Sequence, residues 1–135
     1  MVRNILGLIA GYVVGSIVNF ALIMVNMTAL APAGADFSTP EGVNAAMASL
    51  QPINFAVVFL AHALGTLAGA FTASMIAVSH KMLISMIIGC LFLIGGIYAA
   101  YAIEAPMWFE ATDLLLAYIP MAWLGAKFAG SLRGS

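Results

Sequence analysis

Three stretches of this chain, residues 4–25, 52–79 and 82–103, contain no Asp, Glu, Lys or Arg at all. Each reaches the roughly 20 apolar residues that a helix needs to cross a hydrocarbon core about 30 Å thick. A fourth stretch, 107–129, carries Glu110, Asp113 and Lys127 toward its ends. The chain therefore reads as an all-α membrane protein. Four transmembrane helices, at about 4–25, 52–79, 82–103 and 107–129, form an up-down bundle in one integral membrane domain spanning 1–135.

Composition excludes the soluble alternatives. The 135 residues are 64% hydrophobic and 7% charged, with a mean hydropathy of +1.13. A soluble domain is about half apolar and about a quarter charged, so too few charges exist here to cover a soluble surface. A net charge of −1 with no basic patch argues against nucleic acid as a partner. The lone Cys90 excludes an internal disulfide, a CxxC redox pair and a cysteine-rich zinc site.

The first segment follows Arg3, and Ala31-Pro-Ala33 looks like a cleavage site. Its apolar run exceeds the ~7–15 residues of a signal core, so it is read as a transmembrane helix. Residues 28–51 form the only long polar connection. There Ser38-Thr-Pro-Glu41 has capping-box spacing and predicts a short amphipathic helix over about 40–50, with Val43, Met47 and Leu50 on its apolar face. The second segment is longer than the bilayer core requires and should tilt or protrude. Ser79-His80-Lys81 allows only a tight turn. The fourth segment opens with Trp108 and Phe109, which suit a membrane interface, and Pro120 should kink its middle. Arg3, Lys81, Lys127 and Arg133 fall on the terminal side of this topology. Asp36, Glu41, Glu104, Glu110 and Asp113 fall on the other. The positive-inside rule then puts both termini in the cytoplasm and the long loop outside.

Small residues recur every four positions as Gly7, Gly11, Gly15; as Ala61, Gly65, Gly69, Ala73; and as Ala122, Ala126, Gly130. Such rows let transmembrane helices approach closely. Three rows exceed what one bundle plainly needs, so a homo-oligomer or a membrane-protein partner is expected besides the lipid bilayer.

Ionisable side chains within a membrane are costly and usually turn inward to a partner or cavity. Asn19, His62, Tyr98, Tyr101, Glu110 and Asp113 all fall in the outward half and are expected to line an outward-facing polar pocket, with Asp113 and His62 as a possible pair. Glu110 and Asp113 equally suit a helix start, where the dipole favours carboxylates. Only one histidine lies at the right depth, so no metal site is expected. Ser74 is three turns from His62 and Cys90 has no evident base, which argues against nucleophilic catalysis. No phosphate loop or dinucleotide fingerprint calls for a cofactor. The nine methionines are spread out as gap-fillers.

From His62 onward, and most distinctively in Ser79-His-Lys-Met82, Gly95-Gly96 and Asp113-Leu-Leu-Leu-Ala-Tyr-Ile-Pro-Met-Ala-Trp-Leu-Gly125, the chain resembles a family of small four-helix bacterial inner-membrane proteins with no assigned activity. The resemblance implies a bacterial inner-membrane location and carries over no ligand or catalytic residue. These observations favour a non-enzymatic accessory or scaffold bundle that packs with itself or a membrane partner. The alternative is a small transporter or channel that uses an outward-facing polar pocket around His62 and Asp113.

Overall fold

Apolar runs of this length become helices because a helix satisfies its backbone polar groups within a single segment in lipid. The computed structural model describes residues 1–134 and is helical, with no strand among them. In order it contains α1 (Val2–Ala29), α2 (Pro40–Ala46), a single 3₁₀ turn (Met47–Ser49), α3 (Pro52–Ile76), α4 (Lys81–Ala102), α5 (Met107–Leu116) and α6 (Ile119–Leu132). α1, α3, α4 and the α5–α6 pair provide four spans long and apolar enough to cross a membrane. Successive spans alternate in direction. One end of the bundle gathers Arg3, Lys81 and Arg133 and is called the basic end below. The other carries Asp36, Glu41 and Glu104 and is called the acidic end.

α3 is the helix on which the others pack. Its buried residues include Ala61, Ala63, Gly65, Gly69, Ala70 and Ala73. The glycine row of α1 lies antiparallel on the α3 row. A Cβ added at Gly11 would sit 2.5 Å from the Gly69 carbonyl oxygen, and one at Gly15 would sit 2.7 Å from that of Gly65. The reverse substitutions meet the same obstacle, 2.7 Å from the Gly11 oxygen at Gly69 and 2.9 Å from the Gly15 oxygen at Gly65. The two backbones are therefore in contact, and only glycine fits between them. Gly125 of α6 fits against Leu67, Ala70 and Phe71 of α3 in the same way. The neighbouring α3 stripe faces α4. There Ser85 Oγ donates to the Ala70 carbonyl at 2.8 Å and lies 2.9 Å from Ser74 Oγ.

Side-chain amides tie the ends. At the basic end Asn4 accepts from the Val78 N–H at 3.0 Å and donates to Ser79 Oγ at 2.9 Å. Arg133 donates to the carbonyls of Met75 and Ala77, satisfying acceptors that the end of α3 leaves open. At the acidic end the buried Asn54 accepts from the Gln51 N–H at 2.9 Å, and donates to Asn26 Oδ1 and the Leu30 carbonyl, both at 3.0 Å. Asn44 donates to the Ala102 carbonyl at 3.3 Å and accepts from the Glu104 N–H at 2.9 Å, which fixes the long loop over the end of α4.

Three details differ from the sequence reading. α1 runs four residues past Val25. The loop helix is capped by Thr39, whose hydroxyl accepts from the Gly42 N–H at 3.1 Å. Ser38 instead bonds Asp36 Oδ1 through its hydroxyl at 2.6 Å and its N–H at 2.9 Å. The fourth span is two helices, interrupted at Ala117–Tyr118. Pro120 has no N–H to offer the Leu116 carbonyl and its ring would collide with it, so α5 ends at Leu116 and α6 restarts with Pro120 in its first turn.

Gly11→Ala is expected to destabilise the bundle by about 1–3 kcal/mol, the usual range for overpacking. Gly130→Ala, where an added Cβ meets nothing within 4 Å, should be neutral or slightly stabilising. Thermal unfolding of the two variants in detergent measures the difference. In the loop, the Ser38 hydroxyl and then its N–H hold the Asp36 carboxyl below its ordinary value. A depressed carboxyl contributes order above the ordinary carboxylate range and loses it as pH falls through the depressed value. Ser38→Ala should therefore raise the Asp36 midpoint, which a carboxyl-carbon NMR titration reads directly.

Candidate ligand-binding site

A carboxylate buried within a membrane span is costly, so it must find donors. Asp113 finds two. His62 Nδ1 lies 2.8 and 2.9 Å from its two oxygens, and the Tyr118 hydroxyl donates to Oδ2 at 3.0 Å. Two donors on one carboxyl group are the pattern of a charge-assisted acceptor. The pair is screened from the surroundings, with the His62 side chain 19% and the Asp113 side chain 6% exposed. With Nδ1 facing Asp113, Nε2 lies on the opposite edge of the ring.

The break in the fourth span builds this arrangement. On an unbroken helix Tyr118 would lie five positions, or about 140°, around from Asp113. Interruption at Ala117–Tyr118 lets the tyrosine hydroxyl turn back to Asp113. Tyr118 is buried, and its ring stacks on His62 with centroids 5.7 Å apart. Gly96 of α4 makes room for it, because a Cβ there would lie against the tyrosine hydroxyl and ring. On α3, the Thr66 hydroxyl donates back to the His62 carbonyl at 2.8 Å, so this residue of the stripe beside the glycines serves its own helix.

His62 borders a cavity of about 250 Å³ between α1, α3, α4 and the start of α6. Its other walls are Tyr12, Ser16, Asn19, Phe92, Gly95, Gly96 and Tyr118. The Asn19 Oδ1 atom is buried and has no hydrogen-bond donor. Tyr12 and Phe92 stack with centroids 5.4 Å apart. Counting about 1.5 Å per residue, His62 and Asn19 each lie about 15 Å from the acidic ends of their helices, near the middle of the span.

Of the six residues expected to share a pocket, the structure brings Asn19 and His62 to this cavity, with Asp113 bonded behind His62. Glu110 and Asp113 line a separate narrow cleft of about 50 Å³ beside Gly96 and Phe109. Tyr98 and Tyr101 belong to neither. They are 72% and 92% exposed on the far face of α4, because the face of α4 that meets the other helices is the one carrying Ser85, Ile88, Gly89 and Gly96. Sequence reasoning missed Tyr118, Ser16 and Tyr12. The signal for Tyr118 was Pro120, whose helix break reorients the two residues before it. No group of three His, Cys, Asp or Glu converges among the described residues.

Comparison of the chain with protein-family models, curated proteins and solved structures finds no match, so function has to be argued from this geometry.

His62→Leu leaves a buried carboxylate with the tyrosine hydroxyl alone, whereas Asp113→Asn leaves a histidine that can stay neutral. The first variant is therefore expected to be clearly less stable than the second. Tyr118→Phe, which removes one hydrogen bond, should cost about 1 kcal/mol. Chemical unfolding of the three variants in detergent ranks them.

Proposed function

We propose that this multi-pass protein belongs to the transporter or channel class and admits a small polar solute to the His62 cavity. The observation that carries this reading is a polar cavity at mid-span. It is bordered by a histidine fixed in orientation by a buried carboxylate and by the polar residues Ser16 and Asn19. A bundle selected only for packing gains nothing from a buried charge, whose replacement by apolar side chains is often neutral or stabilising. Pockets that take ligands in helical membrane proteins use such irregular, broken spans, and the α5–α6 break is one.

The distribution of charge supports an orientation with the basic end in the cytoplasm and the 30–51 loop outside. The resemblance to small bacterial inner-membrane proteins supports that membrane as the location. Under this orientation the cavity is reached from the outer side.

An accessory or scaffold bundle is the second reading. Its main sequence argument was a surplus of small-residue rows. Gly7, Gly11 and Gly15 meet α3 within the same chain, and Ala122 lies against Gly89 of α4, so of the third row only Gly130 has open space around it. What favours a partner is the exposed apolar face of α1 formed by Ile5, Ile9 and Ile17, which lipid tails cover equally well.

Single cysteines in a Cys90→Ser background test both orientation and access in intact cells. Ser38→Cys should react with an impermeant thiol reagent from outside, and Ser131→Cys only after permeabilisation. Ser16→Cys, in the cavity wall, should react with a small thiol reagent applied from outside. A Ser16→Cys protein that stays unlabelled while Ser38→Cys labels fully would rule out an accessible cavity.

A further inference from the structure

We propose that a second cavity, at the acidic end of the bundle, holds one acyl chain of a zwitterionic membrane phospholipid. It shares no lining residue with the His62 cavity and stands independently of it.

The loop helix makes its roof. Val43 and Met47, with Phe37 before them and Leu50 after, cover a space of about 260 Å³ over the ends of α1 and α3 and beside the α4–α5 connection. Asn44, on the same short helix, fastens this roof to Ala102 and Glu104. Counting about 1.5 Å per residue, Val58 and Ile23 place the floor about 9 Å in from the ends of α3 and α1.

The lining favours hydrocarbon. Asn26 and Asn54 are its only polar residues. Asn54 accepts from the Gln51 N–H and donates to Asn26 Oδ1 and the Leu30 carbonyl, so both of its amide atoms are already engaged. Water held in a cavity needs about two to four polar partners, and apolar cavities stay dry. Close-packed interiors leave few voids larger than a single water, and an apolar space of about 150 Å³ already takes up benzene. Met27 and Met47 are among the walls, and their flexible thioethers adapt to an occupant of changing shape.

The surroundings name the source of that hydrocarbon. Phe55 and Phe109 line the cavity and also line a groove on the outside of the bundle between α3 and α5. The groove's other walls include the exposed Ala56, Leu60 and Trp108, which meet acyl chains when the bundle stands in a bilayer. The Phe55 and Phe109 rings, with centroids 5.2 Å apart, stand between the two spaces. A lipid chain in the groove therefore reaches the cavity by displacing one aromatic side chain. Charge then selects the head group. Asp36 adjoins Phe37, Glu104 sits between Ile103 and Ala105, and both carboxylates are exposed. No Lys or Arg occurs between Arg3 and Lys81 or between Lys81 and Lys127, so nothing at this end offsets them. An anionic head group meets like charge here, whereas the ammonium of a zwitterionic one is attracted.

The test uses the full-length protein in phosphatidylcholine nanodiscs doped with phosphatidylcholine carrying a diazirine in one acyl chain. After photolysis, peptide mass spectrometry maps the adducts. They are expected on Met47 and Val58, at the roof and floor, and on the exposed Leu60 and Ile9, which bulk lipid reaches. Val58→Trp fills the cavity from α3 and Ile103→Trp fills it from the end of α4. Each should abolish the Met47 adducts, keep those on Ile9 and still unfold cooperatively. The same probe on phosphatidylglycerol should mark Met47 about fivefold less, relative to Ile9. Three results overturn the proposal. Adducts confined to Leu60 and Ile9 mean that no chain enters. Met47 adducts that persist in either tryptophan variant mean that the loop helix lies on bulk lipid. Equal marking of Met47 by phosphatidylglycerol means that the head group is not selected.

Discussion

Everything in this bundle depends on how closely α1 can approach α3. In lipid there is no hydrophobic gain from bringing two apolar helices together, so association has to come from close packing and from polar contacts. Here the packing is backbone against backbone along Gly7, Gly11 and Gly15 on one side and Gly65, Gly69 and Ala73 on the other. That seam places Asn19 beside α3, since the Asn19 Cβ is a near neighbour of Gly65. The same seam determines where the cavity lies. Where the small residues stop, larger side chains hold the helices apart, and the space beside His62 begins.

The second constraint is Asp113. A carboxylate cannot be buried inside a span unless its donors are ready-made, and the fold supplies them by giving up helix continuity. Pro120 removes one backbone hydrogen bond and ends α5. The local irregularity then delivers Tyr118 to the carboxylate and Gly96 yields the room it needs. Asp113, Tyr118 and Gly96 thus act as a unit with His62. Conformation at Ala117–Tyr118 and charge at Asp113 depend on one another, so disturbing either disturbs the face that His62 turns to the cavity.

How much of this was legible in the sequence follows from range. Charge-free runs, the interfacial Trp108 and the short turn at Lys81 act locally or through the bilayer, and they define four spans from composition alone. The small-residue rows are also local signals, but a row says only that something comes close. Which helix it meets depends on the tertiary arrangement, and here the partners are internal. Within the candidate site, His62 and Asp113 stood out because ionisable groups are rare at that depth. Tyr98 and Tyr101 were misplaced by depth counting, which fixes height along a helix and leaves its facing open. Tyr118 was missed because the helical wheel assumes a continuity that Pro120 removes. The Asn26–Asn54 bond joins residues 28 apart, and nothing local to either of them announces it.

The clamp at the basic end has a mechanical consequence. Asn4 near the start of α1 and Arg133 just past the end of α6 both fasten onto the residues where α3 gives way to α4. Three helix ends are therefore pinned around one short turn. At the acidic end the joins are the Asn54 and Asn44 amides and an overlying loop with Gly34 at positive φ. The two ends are thus tied by different chemistry: exposed side chains clamp one short turn at the basic end, while a buried amide pair joins α1 to α3 at the acidic end.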